Sequence, residues 1–294
     1  MIDKLEMFLA LAREKHFGRA AEAVGVAQPT LSAAIRQLEG QLGAVLVLRG
    51  SRFGGLTPEG ERALVWARRM VADARSLRED VRAGGLGGTL RLAVIPTALA
   101  AASRLTAAFA AAHPGVRVAV ISTTNGAIRA GLAALTFDAG ITYVDDEPGA
   151  ILLHEERYAA ILRDDHPLAA RATLPWREAG ALPLCLLTPD MQNRQIIAGH
   201  LAEAGVAASP RVEANSIVVL VAHVLAGGWA TILPMGAAEL FLTHGPLRAV
   251  PLVEPDARHR VGLLSREPHL PAVAALASLA RAIGKSDEAT EDRS

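Results

Sequence analysis

Five residues suited to contacting a polar polymer, Gln28, Pro29, Thr30, Ser32 and Arg36, fall within nine positions of a segment whose Leu31, Ile35 and Leu38 are aliphatic and helically spaced. At the start of a helix, such amides, hydroxyls and a guanidinium match the donors and acceptors on base edges in a major groove, and a helix N-terminus also suits a phosphate. Arg49 and Arg52 follow in a glycine-rich turn, where they would hold phosphate and so fix position without reading bases. A second polar set lies further along: Thr97, then Thr123, Thr124 and Asn125, then Thr188 with Gln192, Asn193 and Arg194. Each group follows an apolar run of strand type. Hydroxyls, amides and free backbone N–H groups at such corners suit a small anion such as a carboxylate. The same residue types are also ordinary helix caps, and both readings fit.

Catalytic and metal chemistry find no comparable support. No Gly-x-Ser-x-Gly elbow occurs, and Cys185 lies in the apolar run Leu182 to Leu187, where a buried inert thiol is expected. The nine histidines are scattered, with neither i, i+4 spacing nor cysteine partners. Trp229 and Tyr143 read as core aromatics. Neither a metal, a cofactor nor a catalytic residue is expected.

The elements that must position these groups follow from periodicity. Ile2, Leu5, Phe8, Leu9 and Leu11 mark a first amphipathic helix; Arg19 to Val24 form a short second one, stopped at Gly25, and Thr30 to Glu39 a third, opened by Gln28 and Pro29. Ala20, Ala21, Val24, Val26, Leu31, Ile35 and Leu38 can share one small core, although a plain helical hairpin would use them equally well. After Gly43 the run AVLVLRGSRFGGL reads as a wing. From Thr57 to Ala83 nothing breaks a helix, and Leu64, Ala67, Val71, Ala74, Leu77 and Val81 form an apolar stripe. That helix is about 40 Å long at about 1.5 Å per residue, and a second copy of the chain is its expected cover, through Leu64, Val71, Ala74, Leu77 and Val81. Gly84-Gly85-Leu86-Gly87-Gly88 follows a helix and opens a strand, the reverse of a nucleotide-binding glycine loop, and so reads as an interdomain hinge. From Thr89 strands and helices alternate as in a mainly parallel α/β sheet, and ligands in such sheets sit beyond the strand ends. The polar tail from Lys285 is expected to be disordered.

Composition is permissive. The 294 residues include 30 Lys+Arg against 30 Asp+Glu, so net charge excludes no partner. One cysteine precludes an intramolecular disulfide, and the start of the chain shows no signal segment; a cytoplasmic location is the default. Neither Ala-rich stretch approaches the roughly 20 apolar residues of a membrane span.

The ordered set Phe17, Ala20, Ala21, Gln28, Pro29, Leu31, Ser32, Ile35, Leu38, Glu39, Leu42, Gly43, Leu46, Arg49, Leu56, Thr57 and Gly60 resembles the N-terminal domain of LysR-type transcriptional regulators. Ala33 and Ala34 replace the family's usual Arg, Lys or Gln, so no base contact is carried to position 33. Ile95-Pro96, His166-Pro167-Leu168, Gly227-Gly228-Trp229 and Leu233-Pro234 extend the resemblance over nearly the whole chain, and DAGITY with PLCLLTPDMQNR looks like a branch associated with formate dehydrogenase gene clusters.

The resemblance implies a multidomain α/β protein. A winged helix-turn-helix (1–60) and a linker and dimerisation helix (57–83) lead through a hinge (84–88) to a periplasmic-binding-protein-like effector domain (89–284). Its first lobe is about 89–161 with 266–284, its second about 162–265, and the tail is 285–294. It further implies a homodimer, and a homotetramer on double-stranded promoter DNA, that responds to a small-molecule effector, formate or another small carboxylate, held between the lobes. An enzyme, or a solute-binding protein serving a transporter, would not require the head and the long linker.

Overall fold

A computed structural model describes the chain except residues 50–52, 84–85, 146, 243–244, 267, 269 and 292–294, and without the side chains of residues 49, 76, 79–80, 82–83 and 285–291. Arg52, Gly84 and Gly85 therefore lie outside the described residues. The chain divides into two compact units, Met1–Gly88 and Thr89–Ser294.

The first unit is helical, with a small ribbon. Helices α1 (Ile2–Glu14), α2 (Phe17–Ala23) and α3 (Gln28–Leu42) are followed by strands β1 (Val47–Arg49) and β2 (Phe53–Leu56), which pair antiparallel, and by α4 (Pro58–Ala83). Two glycines make the joints: Gly25, between α2 and α3, has φ +71°, and Gly43, which closes α3, has φ +66°, the left-handed conformation that a side chain resists. Phe8, Leu11, Ala20, Leu31, Ile35 and Leu38 form one core that extends into α4 through Ala67 and Val71.

The second unit carries β3 (Gly88–Val94), whose first residue ends the first unit, α5 (Leu99–Ala112), β4 (Val116–Ser122), α6 (Asn125–Ala133), β5 (Ala139–Tyr143) and the long β6 (Ile151–Arg163). There follow β7 (Leu174–Pro175), α7 (Trp176–Gly180), β8 (Cys185–Leu187), α8 (Gln192–Glu203), β9 (Val212–Ala214) and α9 (Ile217–Ala226). The last elements are β10 (Thr231–Pro234), α10 (Met235–Leu242), β11 (Leu247–Val253), β12 (Arg258–Leu264) and α11 (Pro271–Glu291). A main sheet has the order β4-β3-β5-β12-β6-β11-β7, with β10 also on β6, and β8 and β9 form a separate parallel pair.

The sheet is less parallel than the alternation of elements suggested. β3 and β5 are parallel, but β6 runs antiparallel to β12 over its first half and to β10 and β11 over its second, and so belongs to both lobes. Along Tyr158–Leu162 the side chains alternate between two cores: Tyr158, Ala160 and Leu162 face Trp176 and α8, and Ala159 and Ile161 face α9 and α10. Burial on both faces produces the unbroken apolar run. At the C-terminus α11 runs on to Glu291, and residues 285–291 contain no proline or glycine to stop a helix that the preceding turns have nucleated.

Candidate DNA-reading head and ligand cavity

With Leu31, Ile35 and Leu38 turned into the core, α3 presents Gln28, Pro29, Thr30 and Arg36 to solvent, and Ser32 is half-buried. The helix starts at Gln28, the residue expected with Pro29 to open it, and runs to Leu42, beyond the expected Glu39. Its N-cap, Ala27, offers no side-chain acceptor and Pro29 occupies the first turn, so the orphan N–H groups of that turn are left for water or phosphate. Gln37, which the sequence reading passed over, is exposed beside Arg36. Another missed residue is His16, whose Nδ1 accepts from the Gly18 and Arg19 N–H groups at 3.1 and 3.3 Å and caps α2.

The wing is anchored to α3 by a buried carboxylate. Glu39 Oε1 accepts from the backbone N–H groups of Leu46 and Val47 at 2.9 and 3.3 Å. Thr57 donates its hydroxyl to the Val45 carbonyl at 2.6 Å and accepts from Gly60 N at 2.9 Å, so that it caps α4 while gripping the wing. Gly60 lies against Leu46: a Cβ there would sit 2.1 Å from the Leu46 carbonyl oxygen. Arg49 is in β1, but its side chain, like all of Arg52, is outside the described residues.

The expected dimer stripe divides in two. Val71 is buried and Leu64 partly buried with Ala67 in the core of the chain's own head, where α4 meets α1. Arg75 Nη2 to Glu6 Oε1, at 3.1 Å, ties the same two helices. Ala74 is half-buried, while Leu77 and Val81 are 64% and 74% exposed. Trp66 and Met70 are exposed too, and with Leu77 and Val81 they make a stripe at near-heptad spacing. The three-four repeat picked out Leu77 and Val81 but passed over Trp66 and Met70, which fall outside it.

In the second unit, four of the seven expected ligand-contacting residues converge. Thr97, Asn125, Gln192 and Asn193, with Ile95, Pro96, Tyr143, Leu187 and Met191, line a cavity of about 10 Å³, the room of roughly one water. Thr97 sits in the 3-10 turn Pro96–Ala98, Asn125 opens α6, and Gln192 opens α8, which has no side-chain cap. The others are placed differently. Thr124 is a helix cap, its hydroxyl accepting from Ala127 N at 3.2 Å. Thr123 binds through its backbone to the Val94 carbonyl at 3.0 Å, and Thr188 through its own to Ala214 at 3.1 Å; neither is among the residues that line the cavity.

Tyr143, read from sequence as plain core, is the hub. Its hydroxyl donates to Glu156 Oε2 at 2.9 Å, accepts from Asn193 Nδ2 at 3.3 Å and lies 3.5 Å from Thr97 Oγ1. Burial, and then the neighbouring Glu156, push that hydroxyl well above the ordinary 10. Glu156, 3% exposed, is pushed up to about 8 by burial, against the pull of the Tyr143 hydrogen bond. Its Oε1, with Asn193 Oδ1 and Gln192 Oε1, is buried and makes no hydrogen bond among the described residues. Among the described residues no lysine or arginine lines the cavity. Arg129 is nearby, but it is engaged by Asn125, Glu147 and the Tyr143 carbonyl.

Residues 2–61 match the family of bacterial regulatory helix-turn-helix proteins, lysR family, and residues 83–284 match the LysR substrate binding domain. A probable hydrogen peroxide-inducible genes activator of Mycobacterium avium is 30% identical over 269 residues, 89% of this chain and 86% of that one. An SDS degradation transcriptional activation protein of a Pseudomonas species is 33% identical over 275 residues, 90% of this chain and 89% of that one. Among solved structures, a cysteine-substituted full-length OxyR from Pseudomonas aeruginosa superposes with a TM-score of 0.70 at 25% identity, covering 96% of this chain and 94% of that one.

Proposed function

The chain belongs to the LysR family of bacterial transcription regulators, and from that premise we propose that two copies, paired along α4, present α3 to successive major grooves while a small polar molecule held between the lobes biases that presentation. The family is one of DNA-binding regulators with an effector-binding domain, and the Mycobacterium and Pseudomonas relatives are both named as activators. The observation that carries the proposal is the exposed first turn of α3, whose Gln28 and Thr30 stand on a core that holds the helix by its other face.

Trp66, Met70, Leu77 and Val81 are the pairing surface; two linked heads gain over one by effective concentration. Two such dimers on one promoter would give the homotetramer. Gln28, Pro29, Thr30, Ser32 and Arg36 read or flank bases, and Arg49 and Arg52 hold phosphate. For the effector, Thr97, Asn125, Gln192 and Asn193 are the contacts, with Tyr143 behind them. Formate or another small carboxylate draws support from the N-termini of α6 and α8 but from no cationic side chain. No helix among the described residues is long and apolar enough to cross a membrane, and the proposed site of action is the cytoplasm.

Peroxide sensing through a thiol is not part of the reading. Such chemistry requires a thiolate; Cys185, the single cysteine, is buried and its thiol is pushed up to about 11 by that burial.

Binding of the full-length chain to the region upstream of its own gene, set against an unrelated duplex in a gel shift, tests the reading. Gln28→Ala should reduce sequence preference, whereas Arg36→Ala and Arg52→Ala should weaken both duplexes and lower the salt slope by about one each if they touch phosphate. Equal affinity of the unaltered chain for both duplexes would remove the regulator reading.

A further inference from the structure

The polar cavity adjoins a second, wider one. Pro96 and Thr97 line both, the wider being a pocket of about 460 Å³ between the lobes. Leu99 of α5, Ile217 and Val218 of α9, and Ala237, Leu240 and Phe241 of α10 supply the walls of that pocket, and Ser122, Asn215 and Ser216 complete its lining. Val218 and Leu240 are 64% and 56% exposed: two large aliphatic side chains, on different helices, keep their surface in water on opposite parts of one concavity. Pockets of about 300–1,000 Å³ lined mainly by apolar groups hold ligands of metabolite size, and apolar walls of this kind gain free energy when an apolar body covers them. A ligand group the size of one water fills the inner cavity and leaves the outer one wet.

The inner cavity in turn specifies the head. Its polar lining consists of amides and hydroxyls. Asn193 uses Nδ2 on Tyr143, which leaves its Oδ1 as an unsatisfied buried acceptor, as is Gln192 Oε1. A buried acceptor is satisfied by a donor, whereas a carboxylate offers it only lone pairs.

We propose that the effector is an amphipath, with an uncharged hydrogen-bond-donating hydroxyl head in the Thr97–Asn193 cavity and a medium-length aliphatic body along Leu99, Ile217, Val218, Leu240 and Phe241. The proposal rests on the reading of this cleft as the effector site.

The test is calorimetric titration of the full-length chain, without DNA, with 1-butanol, 1-hexanol and 1-octanol, and with the carboxylates of equal length. The alcohols should gain affinity by about fourfold per added methylene and bind more tightly than the matching carboxylates. Leu240→Asp and Val218→Asp, at exposed positions that the fold does not need, should flatten the chain-length series. Asn193→Ala should weaken every alcohol by about tenfold without changing the slope. A flat series, a slope that survives both aspartate variants, or tighter binding of the carboxylates overturns the proposal. The gel shift of ligand-free protein, run alongside, separates that failure from failure of the regulator reading.

Discussion

Glu156→Gln isolates the energetic consequence of burying a carboxyl beneath the ligand cavity. In the native chain the group moves from an ordinary value of 4.5 to about 8, because burial penalises the charged form. The folded state therefore binds more protons than the unfolded state between those values, and stability falls as pH rises through the window and levels off above about 8. At about 1.36 kcal/mol per pH unit, the loss from this one group between pH 5 and pH 8 is roughly 3 kcal/mol. Glutamine keeps an acceptor for the Tyr143 hydroxyl and carries no charge at any pH. Urea unfolding of the full-length chain, followed by tryptophan fluorescence at fixed protein concentration, should then show a wild-type midpoint that drops from pH 5 to pH 8 and a variant midpoint that drops much less, the two crossing or converging at the acid end. Parallel profiles for the two proteins would refute the reasoning, since any contribution common to both comes from groups other than Glu156.

The remaining predictions concern the head and the thiol. Gly60→Ala forces a Cβ onto the Leu46 carbonyl, a backbone atom that cannot step aside, and a loss of about 3 kcal/mol in thermal stability of the head, with loss of DNA binding, is expected. Glu39→Ala leaves the Leu46 and Val47 N–H groups without their acceptor; at about 1–3 kcal/mol for each buried donor, hydrogen exchange at those two amides should accelerate by at least about tenfold. Leu77→Glu should break self-association in sedimentation without altering the fold, whereas Val71→Glu should unfold the head, because only the second side chain is buried in its own chain. Millimolar peroxide should leave Cys185 as a free thiol by mass spectrometry, given its burial and high pKa.

Much of the head was legible because its core is local. Leu31, Ile35 and Leu38 repeat at helical spacing within one element, and the glycines at 25 and 43 mark the turns that separate elements. Strands whose partners are distant were harder to read. The first half of β6 carries the charged and polar run His154, Glu155, Glu156 and Arg157, yet it is paired to β12 more than a hundred residues away. Glu156 and Tyr143 escaped for the same reason: nothing near either in sequence announces that a tyrosine and a carboxylate will meet in a buried site. Thr97, Asn125, Gln192 and Asn193 were found because each opens a turn or helix after a strand, a local signature. That signature could not separate them from Thr124, which proves to be a cap. On α4 the periodicity was correct, but the partner it needed was partly α1.

β6 also decides how the lobes can move. It changes neighbours between Arg157, which faces Arg258 of β12, and Tyr158, which faces Pro234 of β10. Any rotation of one lobe against the other would have to twist this continuous, hydrogen-bonded strand, because sliding would break its ladder on both sides. Glu156 lies one residue from that change of neighbours and donates nothing to the ladder through its side chain, so the buried carboxyl that Tyr143 contacts sits at the seam where the two halves of the sheet share one strand.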